Sequence, residues 1–482
     1  MKFYELCMII LIVTTPLLIN TKTTQKRTYS KQRVVVISFD GFRYDYIKRD
    51  NLEAFKKFAH YGASASSLKP VFTTKTFPNH FTIATGLYEE THGIVGNQFY
   101  DPVFKDTFHK SNGAKWWTGA KPIWMLNEER IIEGTNKTGK SATIFWPGSE
   151  SSYDGKYPSY TYKEYNASYS TKNRFDAIVK LMLDDDDLNL VMCYIEEPDN
   201  TAHNHGPDND VTKAILKKLN KEFDYFIRKM DRANLLDTVN IIVVSDHGFL
   251  PIPRQNVKYL SDYLNNTSDF HLDSHGVLLH VRPLEGKKEE VYKALKKIEH
   301  LNVYYKKDIP ERWHYKNNRR IPEIIALSDP TYYFALNNGT WIPHGDHGYD
   351  NDMKEMHGIF IARGPAFKKN LKIGEVQNID ICALLCHVLD IEPHLNNGSL
   401  ARIEHIVQEK NLFSVIMKNP ALIIALLSIC GIFVLIVILG CTISCYRNFV
   451  ESSKYRRLHE DNVPLAQWTD DPDEITEFQL RR

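Results

Sequence analysis

Residues 33–41 read Arg-Val-Val-Val-Ile-Ser-Phe-Asp-Gly. A continuous β-branched run such as Val34–Ile37 can bury both of its faces, as a strand inside a two-sided α/β sheet does. The pattern of an apolar run closing on an acidic or small residue recurs. Leu188–Ile195 runs into Glu196-Glu197-Pro198-Asp199, and Asn240–Val244 runs into Ser245-Asp246-His247-Gly248. Gly358–Ala362 is a fourth such run. Helical patterns alternate with them. Over 211–231, Ile215, Leu219, Phe223, Phe226, Ile227 and Met230 recur at 3–4 spacing and share one stripe. Residues 51–60 and 171–183 read as shorter helices. This alternation predicts an α/β fold around a doubly wound, mostly parallel sheet. Residues 270–335 read as a small α/β insertion of β-α-β order, with a strand at Gly276–Val281 and a helix at Lys287–His300.

Ligands in such folds sit beyond the carboxyl ends of the strands. Four places there offer metal-binding side chains: Asp40; Asp199 and His203 in D-x-x-x-H spacing; the adjacent Asp246 and His247; and His347 within Gly345-Asp346-His347-Gly348. Zinc takes imidazole nitrogen and carboxylate oxygen, about four ligands per site. Three Asp and three His nearly fill two sites and leave room for substrate and a nucleophile. Two metals about 4 Å apart clamp the attacking and leaving oxygens of a phosphoryl transfer. An isolated Asp-His after a strand is ordinarily structural, so the force comes from the recurrence at successive strand ends. His205, His344 and Asp346 stand nearby as alternative ligands. A candidate nucleophile lies in Thr74-Lys75-Thr76-Phe77-Pro78-Asn79-His80. Thr76 there also reads as the N-cap of a helix with Pro78 in its first turn. The two readings are compatible, because a helix N-terminus favours anionic phosphate.

These motifs, with the stretch 74–101 (TKTFPNHFTIATGLYEETHGIVGNQFYD), resemble the ectonucleotide pyrophosphatase/phosphodiesterase family of the alkaline phosphatase superfamily. The resemblance covers roughly residues 30–405 and is greatest to the short type I membrane members, types 4 and 5. It implies an alkaline phosphatase-like sheet and two Zn2+ per chain. Asp199, His203 and His347 match the ligands of one zinc. Asp40, Asp246 and His247 match those of the other, with Thr76 as metal-bound nucleophile. Asn97 matches a side chain that donates to a phosphate oxygen, and Phe77 and Tyr165 match an aromatic pair that sandwiches the base. Lys75, beside Thr76, reads either as added positive potential for phosphate or as a plain exposed lysine. The implied activity is hydrolysis of extracellular nucleotides to nucleoside 5′-monophosphates through a threonine-linked intermediate. Ala202 departs from the glycine usual in the family and Phe249 from its common methionine, without removing a ligand. The rivals are a choline-type lysophospholipase C on the same fold, a sulfatase or phosphomonoesterase, which would favour a cysteine or an arginine near the nucleophile, and a non-enzymatic adhesion or receptor ectodomain.

The two chain ends differ from this body. Residues 6–19 are an apolar run of signal-peptide length, so 1–22 reads as a signal peptide. Residues 28–405 read as the extracellular catalytic domain and 406–420 as a juxtamembrane segment. From Ala421 to Cys445 there is no charge, long enough for a transmembrane helix. Arg447, Lys454, Arg456 and Arg457 follow it, so the positive-inside rule places the tail 446–482 in the cytosol. The expected location is the cell membrane, single-pass type I. Sequons at Asn136, Asn166, Asn265, Asn266, Asn338 and Asn397 all lie in the proposed ectodomain. Over all 482 residues, 43% are hydrophobic and the net charge is +1, which excludes overall disorder and gives no charge excess for a nucleic-acid partner. Seven cysteines are too few for a disulfide-dense scaffold, and Cys193, Cys382 and Cys386 read as core thiols. The topology predicts that an epitope added after Arg482 stains only permeabilised cells; staining of intact cells would reverse the orientation.

Overall fold

The computed structural model describes residues 32–110, 113–132, 137–264, 267–408 and 420–460. The expected signal peptide, Asn136, Asn265 and Asn266 lie outside them, as does most of the tail. The described residues fall into two units, one within 29–409 and one that includes the helix after 419.

The first unit is built on an eight-stranded sheet. In chain order its main elements are β1 (Arg33–Phe39), α1 (Glu53–His60), β2 (Ala63–Lys69), α2 (Thr76–Thr85), β3 (Lys140–Ile144), β4 (Tyr160–Tyr162), α3 (Thr171–Asp184), β5 (Leu188–Ile195), α4 (Asp199–His205), α5 (Asp210–Arg232) and β6 (Val239–Val244). An insertion follows, with β7 (Phe270–Ser274), β8 (Leu278–Pro283), α6 (Lys288–Lys296), β9 (Leu301–Tyr305) and β10 (Ile324–Ser328). The chain then completes the sheet with β11 (Phe360–Arg363) and β12 (Leu371–Gln377) and adds α7 (Ile381–Leu389).

The strand order is β12-β2-β11-β6-β1-β5-β3-β4. Every pairing is parallel except those of β11, which runs antiparallel to β2 and β6. The direction of β11 follows from the connection. The chain leaves β6 at the carboxyl end of the sheet and returns to that end through His347. From there it can only run back down.

β1 alternates its residues between two cores. Val34 and Val36 join one with Phe81, Trp146 and Leu384; Val35, Ile37 and Phe39 join the other with Phe55, Phe175, Phe223 and Phe226. The expected helices appear as α1, α3 and α5. The inward stripe of α5 uses Leu216 at its centre, while Ile215 and Ile227 are half-buried. The fourth strand starts at Phe360, later than Gly358, which makes isolated bridges to Arg43 and Leu68 and lies against Ser245. A Cβ there would meet the Ser245 Cβ at 2.7 Å.

The insertion differs from a simple β-α-β unit. Its sheet order is β7-β8-β10-β9, and all neighbours are antiparallel. β8 and β9 are each antiparallel to β10, so they run parallel to one another with a strand between them. The unit is therefore a split β-α-β. α6 is shorter than the predicted helix and buries Val291 and Leu295 against Leu279, Val281 and Ile324.

Cys193, Cys382 and Cys386 are buried free thiols. In the second unit, α8 (Pro420–Glu460) is among the described residues the one helix long and apolar enough to cross a membrane. At 1.5 Å rise per residue, its uncharged part spans about 37 Å.

Ile37 is fully buried at the centre of the sheet. Ile37→Ala should lower the stability of the first unit by about 2–5 kcal/mol, read as a shift of its denaturant unfolding midpoint. An unchanged midpoint would contradict the central placement of β1.

Candidate active site

Three sheet strands and one return loop aim their ends at a common point. Asp40 follows β1, Asp246 and His247 follow β6, and Asp199 opens α4 after β5. His347 comes from Gly345–Asp346, which pairs with Leu250–Pro251. His247 Nε2 is 3.3 Å from Asp40 Oδ1 and 3.0 Å from Asp246 Oδ2. Asp199 Oδ1 is 3.4 Å from both His203 Nε2 and His347 Nε2. The His247 and His347 rings stack at 3.5 Å between centroids, which joins the two sets.

The donor atoms fit metal ions. Ligands about 2.0 Å from one tetrahedral zinc lie about 3.3 Å from each other, close to these spacings. Asp40 Oδ1, Asp199 Oδ1 and Asp246 Oδ2 are buried acceptors that receive no hydrogen bond. Buried carboxylate oxygens left this way are costly unless a cation meets them. Each histidine directs Nδ1 to a backbone carbonyl: His203 to Gly345 at 3.0 Å, His247 to Gly248 at 3.0 Å, and His347 to Thr74 at 2.7 Å. With Nδ1 donating, every Nε2 faces the centre, and each ring presents a lone pair there when neutral.

The electrostatics have the same origin. Burial, then the charge of Asp246, raises the pKa of the Asp40 carboxyl. Burial, then neighbouring His247, holds the His347 imidazole well below its usual pKa. For His247, burial acts downward, but Asp246 and Asp40 outweigh it and raise the pKa well above the usual value.

The alternative ligands are otherwise engaged or exposed. Asp346 lies within 4.8 Å of His203 and His347 donor atoms. Its Oδ1, however, accepts from Lys75 Nζ at 3.1 Å and from the His347 backbone N–H at 2.7 Å. His344 Nε2 faces Arg254 at 3.1 Å, and His205 is exposed.

Thr76 sits beside this cluster, with Oγ1 3.3 Å from His247 Nε2. It is not the N-cap of α2: Lys75 holds that position and Thr76 is the first helical residue. Asn97, from a distant loop, takes over the capping. Its Oδ1 accepts the Phe77 N–H at 2.9 Å, which turns Nδ2 towards Thr76 Oγ1 at 3.4 Å. The loop before α2 is braced by Asn79, whose Nδ2 donates to the carbonyls of Thr73 and Lys75, both at 2.9 Å. Buried Glu89 adds an acceptor for the Thr73 hydroxyl at 3.3 Å.

A family sequence profile described as Type I phosphodiesterase / nucleotide pyrophosphatase matches residues 34–350. The chain belongs to this family. Human ectonucleotide pyrophosphatase/phosphodiesterase family member 5 is 35% identical over 395 residues, 81% of either chain. Human bis(5'-adenosyl)-triphosphatase is 33% identical over 443 residues, 90% of this chain and 94% of that one. A solved murine ectonucleotide pyrophosphatase/phosphodiesterase 5, an inactive threonine-to-alanine variant in complex with AMP, matches with a TM-score of 0.75 at 37% identity. It covers 78% of this chain and all of that one (100%). The protein is accordingly an enzyme of the nucleotide pyrophosphatase/phosphodiesterase class.

The remaining residues expected from the family resemblance lie at the margins. Phe77 is half-buried against Phe108 and Trp117. Tyr165 is 51% exposed, and its ring is 6.3 Å from that of Tyr194. Among the described residues no ring contact joins Phe77 to Tyr165. The Lys75 ammonium is held by Asp346 and by the His347 carbonyl. Asn166, Asn338 and Asn397 are exposed; Asn166 Oδ1 accepts the Ser168 hydroxyl at 2.6 Å.

Three supporting residues were not singled out as site residues from the sequence. Tyr194 donates its hydroxyl to Asp40 Oδ2 at 2.6 Å. Ser245 accepts the Phe42 N–H at 2.9 Å and donates to the His247 carbonyl at 2.8 Å. Phe249, seen only as a departure from the family pattern, packs at 4.8 Å on the His203 ring and 5.4 Å on His347. The available signal for Tyr194 was its place at the carboxyl end of an otherwise apolar strand. Tyr194→Phe should weaken metal binding about 10–100-fold, measured by competition with a chelator; an unchanged affinity would deny Tyr194 any part in orienting Asp40.

Proposed function

We propose that the protein is a two-zinc hydrolase that cleaves phosphodiester and pyrophosphate bonds of extracellular nucleotides to give nucleoside 5′-monophosphates. The observation that carries this is the Thr76 hydroxyl, set at the N-terminus of α2 between His247 Nε2 and Asn97 Nδ2 at 3.3 and 3.4 Å. Asp199, His203 and His347 would hold one zinc, and Asp40, Asp246 and His247 the other. When bound, the ions supply Lewis acidity and positive charge for the phosphate.

The chain's own groups do the rest. Thr76 Oγ1 attacks the α-phosphorus and forms a nucleotidyl-threonine. The bond from the α-phosphorus to the leaving oxygen breaks, the leaving phosphate, nucleotide or alcohol takes up through solvent the proton that Thr76 gives up, and water hydrolyses the ester to the 5′-monophosphate and free Thr76. Asn97 cannot rotate without losing the Phe77 N–H, so its Nδ2 stays a donor towards the phosphate. A neutral amide suits a diester's single charge. The α2 N-terminus adds its dipole. Phe77 and Tyr165 hold the base from either side, and Lys75 acts through Asp346 and the His347 loop. The names of relatives extend the substrate range to dinucleoside triphosphates. A relative's complex with AMP supports a nucleoside monophosphate product.

The catalytic unit is extracellular in this reading. It is glycosylated at its sequons and tethered to the cell membrane by α8, with the tail in the cytosol. A choline-type activity would require a cage for quaternary ammonium, and the direct comparison is between two chromogenic substrates.

Wild type should cleave nitrophenyl thymidine monophosphate much faster than nitrophenyl phosphocholine. Chelator should abolish the activity and zinc restore it. Thr76→Ala should lower kcat by at least about 100-fold, while its circular dichroism stays unchanged. Full activity in Thr76→Ala would remove the threonine mechanism. Preference for phosphocholine would remove the nucleotide assignment.

A further inference from the structure

Trp116, Trp117, Trp124, Trp146 and Trp313 are buried, whereas Trp341 is 63% exposed. Its loop is nevertheless tied down on both sides. Ahead of it, Ser261 N–H donates to the Leu336 carbonyl at 3.1 Å, and Thr340 N–H to the Asn337 carbonyl at 3.0 Å. Behind it, Arg254 Nη1 donates to the Ile342 carbonyl at 3.1 Å. His344 N–H donates to the His203 carbonyl at 2.8 Å, and Ile252 N–H to the His344 carbonyl at 2.9 Å. A large apolar ring is thus held in water on an anchored backbone. A ring held in this way offers an open, pre-ordered face for stacking.

Its position gives the ligand. Trp341 is three residues from His344, so its Cα lies within about 11 Å of that residue's Cα, and His344 is bonded to the backbone of His203. The cluster therefore has two distinct ends. At one, Tyr165 lies against Tyr194, which bonds Asp40. At the other, His203 leads through His344 to Trp341. A nucleotide with its base beside Tyr165 and its α-phosphorus at Thr76 sends its leaving group towards the second end.

We propose that Trp341 is a specificity residue that stacks on the second base of a dinucleoside polyphosphate, an inference that rests on the hydrolase reading above. Base–aromatic stacking is tolerant of base identity, so the platform selects for a second base and not for a particular one. Substrates with one base lack the group that reaches it.

The test compares diadenosine triphosphate with nitrophenyl thymidine monophosphate on the full chain in detergent micelles. Trp341→Ala should lower kcat/KM for diadenosine triphosphate about tenfold and leave the one-base ester unchanged. Trp341→Phe should recover most of the loss. An equal loss on both substrates, no loss on either, or wild type that cleaves only the one-base ester overturns the proposal. Failure of the hydrolase reading looks different: wild type then cleaves neither substrate, and the proposal falls with it.

Discussion

Negative charge concentrated in a buried place is the constraint on which this structure turns. Asp40, Asp199 and Asp246 converge at the carboxyl ends of three neighbouring strands, and each leaves one oxygen without a hydrogen bond. Water cannot solvate those oxygens, and the local backbone offers too few donors. The three imidazoles turn their Nε2 atoms to the same centre. Such a centre is stable only around cations. The rest of the catalytic unit holds it in place: Tyr194 on Asp40, Ser245 on the turn after β6, and carbonyls of Thr74, Gly248 and Gly345 on the imidazoles.

The Thr76 hydroxyl is positioned by a second, separate device. Thr76 is fixed because α2 starts there, and α2 starts there because Asn79 and Glu89 brace the preceding loop while Asn97 caps the helix from outside. One amide thus does two things: its oxygen satisfies a helix N–H, and its nitrogen faces the Thr76 hydroxyl. Capping by Thr76 itself would have turned its hydroxyl towards the helix and away from His247. The insertion and the return loop build the other margin, with Lys75 and Asp346 locking the His347 segment.

Two of the sequence expectations changed in instructive ways. The 270–335 segment contains the expected strand and helix, but β10 enters between β8 and β9. Local periodicity cannot see which strand fills a gap, because that is set by pairing across distant residues. Thr76 reads locally as an N-cap because threonine before Phe-Pro is a common helix start. The capping oxygen came instead from Asn97, 20 residues beyond the Phe77 whose N–H it accepts.

The sequence by itself determined the class of fold, the family and the donor set. Apolar runs such as Arg33–Phe39 must be buried on both faces, and three of the four run into acidic or histidine residues of a type that binds metal. It also determined the amphipathic faces of α1, α3 and α5 and the long uncharged run 421–445 at the far end. Only the tertiary structure decided the geometry. It brought Asp199 between His203 and His347 and tied Asp346 to Lys75. It turned β11 antiparallel, faced Asn97 towards Thr76, and left Trp341 in water. The physical reason is the range of the forces involved. Burial patterns and helix periods are written in neighbouring residues, whereas donor-to-acceptor distances depend on strands that meet far apart in the chain.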